Sequence, residues 1–131
     1  MLNSEGKLRI RAYTAGGALP ISGARVKISG AEEGNENVKY ILYTDKDGIT
    51  EEVPLPAPNS SFSMAPHPSE SPYAIYDVEI SKEGYLTKTI HGLPVFAGIE
   101  SFQSINMIPI SEGVFPDGNN EITIPDYDLN F

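Results

Sequence analysis

The sequence predicts an all-β sandwich, and three observations carry that prediction. Apolar residues recur at every second position in several short runs, the mark of strands with one buried face. Glycine and proline, 12 and 11 of 131 residues, sit between those runs as turn and breaker residues. No stretch sustains the helical period of an amphipathic helix. The runs fit a single seven-stranded, Greek-key-like sandwich over residues 1–113, followed by an extended tail over 114–131. A chain of this length encloses one core rather than two.

In chain order, Leu8, Ile10, Ala12 and Thr14 alternate with Lys7, Arg9, Arg11 and Tyr13, so the first strand turns Arg9 and Arg11 toward water. Residues 15–20 (AGGALP) are turn chemistry. Ala24, Val26 and Ile28 alternate with Arg25, Lys27 and Ser29 to give the second strand. The acidic stretch 30–37 reads as a solvated loop. Residues 38–44 (VKYILYT) are apolar or aromatic on both faces, which predicts a strand covered on both sides or one whose outer face meets something. Asp45-Lys46-Asp47-Gly48 is a tight turn with glycine at a positive φ, and Ile49 to Val53 is the returning strand.

From Pro54 to Pro72 the chain carries six prolines and no periodicity. Proline cannot donate to a ladder, so this segment is expected to lie over the surface as an extended strap outside the sheets. Alternation returns in YAIYDVEI (73–80), with Tyr76, Val78 and Ile80 on one face and Asp77 and Glu79 on the other. Lys82 to Tyr85 reverses the chain into a strand over 85–91, and a last core strand runs from about Phe102 to Ile110. The expected core is Leu8, Ile10, Val26, Ile28, Leu42, Val78, Ile80 and Ile108.

Four pieces in this order, Pro20-Ile21-Ser22-Gly23-Ala24 with Val26 and Ile28, then Thr44 to Gly48, then Tyr76 to Ile80, then Gly84-Tyr85, resemble the carboxypeptidase regulatory-like domain, a transthyretin-like sandwich. LPAP at 55–58, PVFAGIESFQ at 94–103 and NMIPI at 106–110 are similar to non-catalytic sandwich modules of clostridial spore cortex-lytic and peptidoglycan-binding proteins. The resemblance implies an accessory module of a Gram-positive spore or envelope system.

Charge and composition narrow the function further. The net charge of −9 repels phosphates, which argues against nucleic acid as a partner and against anionic membrane surfaces. The absence of cysteine removes disulfides, thiolate metal sites and thiol nucleophiles. No run is long enough to insert in a bilayer, and residues 1–13 lack the apolar stretch of a secretory signal, so export by a visible signal peptide is not expected.

Catalytic residues, cofactors and metal are each expected to be none. Ser63 and His67 lie in the proline-rich segment, where a triad lacks a rigid frame. Asp77 and Glu79, roughly 7 Å apart by strand rise, read as a solvated face. Asp45 and Asp47 open like a calcium loop, but the bidentate Glu is missing, which leaves a plain turn.

The candidate contact surface is therefore Phe62, His67, Tyr43 and Phe96, able to stack on cell-wall polysaccharide or to meet a protein. In the tail, Ile122, Ile124, Tyr127, Leu129 and Phe131 recur at two-residue spacing around Pro125 and form a candidate assembly strand. Such a strand docks along its own sandwich edge or along a neighbour's. Three functions follow: a non-catalytic structural or binding module at a bacterial envelope or spore; a subunit of a filament joined through the tail; and, last, a small hydrolase.

Overall fold

The computed structural model describes residues 4–58, 73–110 and 119–123, the last group by its backbone alone. Among the described residues nine strands form two facing sheets. They are β1 (Ser4–Thr14), β2 (Leu19–Pro20), β3 (Arg25–Gly30), β4 (Lys39–Tyr43), β5 (Val53–Ala57), β6 (Ala74–Ser81), β7 (Thr87–Val95), β8 (Glu100–Asn106) and β9 (Asn119–Thr123). In the first sheet β1 is central, flanked on one side by β5 and β2 and on the other by β8, which runs parallel to it. The second sheet has the order β4-β3-β6-β7-β9, antiparallel except for the parallel pair of β7 and β9.

Period-two patterning places the core. Leu8, Ile10 and Ala12 face Val26, Ile28, Val78 and Ile80 across the sandwich, all essentially inaccessible to solvent. Leu42 is buried behind β4, and Tyr76 fills the centre from β6. The last strand departs from its expected phase. It stops at Asn106, Ile105 and the following Met107 are buried, Ile108 is only half-buried, and Phe102 stands 54% exposed. Pairing with β1 decides this, because the parallel register sets Phe102 beside outward-facing Arg9 and Ile105 beside inward-facing Ala12.

One local expectation is refined and two are corrected. The 30–37 loop is pinned: buried Asn35 accepts a hydrogen bond from the Glu32 amide and donates to the Ile75 carbonyl, while Glu32 accepts from the Ile75 amide. Residues 49–52 make no returning hairpin strand with β4. The chain crosses to the other sheet, touching it at the Arg11–Ile49 bridge before β5 pairs with β1. Prolines 54 and 56 thus lie inside a strand, where the sequence pattern argued for none. Proline is tolerated on an edge strand where its missing N–H would have faced away from the neighbour, and Val53, Leu55 and Ala57 alternate with the prolines as the inward, buried set.

The turn entering this crossing depends on Gly48. Its φ is +78°, and a Cβ there would stand 2.5 Å from the Ala12 carbonyl oxygen. Asp45 closes the turn by accepting from the Asp47 and Ile49 amides. These bonds, that from Ile49 first, hold its carboxyl below the usual carboxylate range. Thr44 locks the preceding residue pair, donating to the Ile21 carbonyl and accepting from the Ala24 amide, which gives the Pro20–Ala24 motif its packing partner.

Candidate functional site

The strand-end turn at 45–48 and the crossing segment 49–52 carry the chain away from β4, and the space they leave is a cleft of about 600 Å³. Its lining includes Arg9, Ile41, Tyr43, Asp45, Thr50 and Glu51. Arg9 is half-buried, contrary to its expected place in water, because residues 50–52 bulge beside β1 where neither β5 nor the Ile49 bridge pairs. Thr50 fills that gap with its backbone and side chain, the hydroxyl accepting from the Ile10 amide and the Thr50 amide donating to the Ile10 carbonyl. The Arg9 Nε is buried and has no hydrogen-bond partner among the described residues. An arginine at a cleft wall whose Nε finds no partner among the described residues is the kind of polar group that orients a ligand. By contrast, Arg11 is half-buried against Tyr13, 4.8 Å from the ring centroid, and donates to the Gly17 carbonyl.

Beta4 supplies the cleft's other wall and, among the described residues, is an edge strand. The Thr44 amide donates to the Ala24 carbonyl, and the Val38 carbonyl accepts from the Gly30 amide. Antiparallel alternation then points the backbone groups of Tyr40 and Leu42 at β3 and those of Lys39, Ile41 and Tyr43 at the free edge. The same three residues expose their side chains, Ile41 by 44% and Tyr43 by 62%. The outer apolar face expected from VKYILYT is therefore open among the described residues. Its cationic flank is Lys39 with Arg25 and Lys27 of β3; Arg25 also lies 3.9 Å from Glu79 of β6.

Other sequence candidates fall elsewhere. Tyr43 lines the cleft, whereas Phe96 packs against Tyr73 with centroids 5.3 Å apart, next to the close approach of Gly6 to the Phe96 backbone. Phe62, Ser63 and His67 lie outside the described residues. Ile122 lies in β9, opposite Ile90 of β7, while Ile124, Tyr127, Leu129 and Phe131 lie outside the described residues. Asp77 and Glu79 have separate engagements: Asp77 contacts His91 at 3.5 Å and accepts from the Gly92 amide at the β6/β7 bulge, and Glu79 faces Arg25. Among the described residues no three His, Cys, Asp or Glu side chains group as a metal site, and no helix is long and apolar enough to cross a membrane.

Comparison with known proteins adds the breadth of the fold. No family model matches the chain, and no curated protein matches its sequence. Among solved structures it is similar to the Bacillus anthracis TIE protein, with 22% identity and a TM-score of 0.52 over 81% of this chain. A DUF3823 family protein from Parabacteroides merdae aligns over the same share at 9% identity and a TM-score of 0.52. Hydroxyquinol 1,2-dioxygenase from Pseudomonas putida aligns at 11% identity with a TM-score of 0.53. This chain spans 17%, 47% and 57% of those chains respectively, and at these identities the likeness is one of fold. The class so defined is the two-sheet β-sandwich, which in these chains forms one part of a longer polypeptide.

Proposed function

We propose that the chain is a non-catalytic binding module that positions a partner at a bacterial envelope or spore surface, by way of the cleft between β4 and the crossing segment. The observation that carries this reading is the Arg9 side chain, its Nε without a partner among the described residues, beside a strand edge flanked by Ile41 and Tyr43. That set recognises and orients; it offers a cation, an apolar platform and backbone donors and acceptors, with no nucleophile held against a base. The envelope or spore setting, and membership of the carboxypeptidase regulatory-like family, rest on the motif resemblance in residues 7–110. Co-sedimentation with insoluble Gram-positive cell wall tests the reading. Retention of the wild type and its loss in Arg9→Ala and Tyr43→Ala support it, and equal retention of all three rejects the cleft as the site.

A second reading, a filament subunit, is favoured by the free edge of β4, since unpaired strand edges accept strands from other chains.

A further inference from the structure

We infer that the free edge of β4 receives residues 126–131 of a second copy as an added strand, with Asp126 and Asp128 directed at the Arg9 cleft. The inference rests on the cleft being a binding site and names its occupant. The receiving edge has two distinct faces. Among the described residues, Lys39, Ile41 and Tyr43 present their backbone groups outward and their side chains to the outer face, while Arg9 lines the cleft from the facing sheet. An incoming strand must therefore be apolar on one face and acidic on the other. The sequence DYDLNF at 126–131 has that alternation: Tyr127, Leu129 and Phe131 against Asp126, Asp128 and Asn130. Its apolar set continues the Ile41–Tyr43 platform, and its acidic set meets the guanidinium. The cleft's own carboxylates leave that role open. Asp45 is engaged by the Asp47 and Ile49 amides, and Glu51 makes no ion pair with Arg9.

Geometry makes the donor another molecule. Beta9 lies at the opposite edge of the five-stranded sheet from β4, four strand spacings or roughly 19 Å away. Crossing that distance from Thr123 uses about six residues at the extended rise per residue, so the chain's own 126–131 cannot also lie along β4. A head-to-tail contact of this kind does not close on itself and propagates as a chain of subunits.

Sedimentation velocity on the full chain, from dilute to the highest soluble concentration, tests the inference. The wild type is expected to grow in mass with concentration. Asp126→Lys with Asp128→Lys should weaken association by about tenfold or more, and adding Arg9→Glu to that pair should restore it. Ile41→Pro, which removes an N–H that points off the sheet together with the exposed Ile41 side chain, should abolish association with at most a small fall in melting temperature. A wild type that stays monomeric overturns the inference, as does unchanged association in the tail variants or in Ile41→Pro. Loss with Ile41→Pro but not with the tail variants means another occupant and also overturns it. Cell-wall co-sedimentation of the same proteins separates the two readings: tail variants that stay on the wall without self-associating leave the binding module intact and remove only its proposed occupant.

Discussion

Two strand edges lie on the same side of this sandwich, and they are treated differently. The free edge of β5 is closed twice over. Pro54 and Pro56 have no N–H to offer, and their carbonyls are taken by tyrosine hydroxyls from the facing sheet, Tyr40 donating to Pro54 and Tyr76 to Pro56. The edge of β4, one sheet away, keeps the donors and acceptors of Lys39, Ile41 and Tyr43 and adds exposed apolar side chains. Exposed edges invite pairing with other chains, and proline is a standard means of preventing it. The difference shows that the chain has the means to block an edge and applies them to β5, while among the described residues β4 stays open beside Arg9.

The sharpest way to break that comparison is to place proline at adjacent positions of β4. Leu42→Pro removes a ladder donor facing β3 and should cost about 3 kcal/mol or more, whereas Ile41→Pro should cost less than about 1 kcal/mol. Equal losses in chemical denaturation would show that the assigned alternation is wrong. Next, Leu55→Ala on the closed edge should cost about 2–4 kcal/mol, as should Ile28→Ala behind β4, while Ile41→Ala should stay within about 0.5 kcal/mol. A small loss at Leu55 would mean that β5 is a loose strap after all.

Removing the tyrosine clamp gives a smaller effect with a pH signature. Tyr76 is fully buried, and that burial pushes its hydroxyl from 10.0 to about 12. The folded state thus holds the proton more tightly than the unfolded one. The resulting stability is complete below pH 10 and is lost as pH rises toward about 12. Tyr76→Phe should cost about 1 kcal/mol at neutral pH and flatten the alkaline fall. Lys88 acts in the opposite direction: burial lowers its value while its ammonium donates to the Asn106 carbonyl, so it adds stability as pH rises toward 10.5. The Tyr76 contribution is therefore read as the difference between the wild-type and Tyr76→Phe profiles. The smallest effect is expected at the cleft rim, where a chelator should leave the melting temperature unchanged; a clear fall would assign an ion to Asp45 and Asp47.

The site was only partly legible in the sequence. Tyr43 and Ile41 stood out because VKYILYT is apolar on both faces, and the structure leaves the outer face open. Arg9 carried no such signal. Its alternation with Leu8 and Ile10 says only that it points away from the core, and its burial comes from residues 50–52, far along the chain. The prolines of β5 misled for a related reason, since a missing N–H excludes a strand only when that N–H would have faced a neighbour.

Sequence alone determined the inward face of β1, β3 and β6, because strand periodicity is local and Leu8, Ile10, Val26, Ile28, Val78 and Ile80 alternate without interruption. Tertiary structure alone decided the sheet each strand joins, the phase of β8 through its parallel register with β1, and the contrast between a closed β5 and an open β4. Those depend on which backbone groups find partners distant in the chain, and a residue's own side chain carries no record of the strand that will lie beside it.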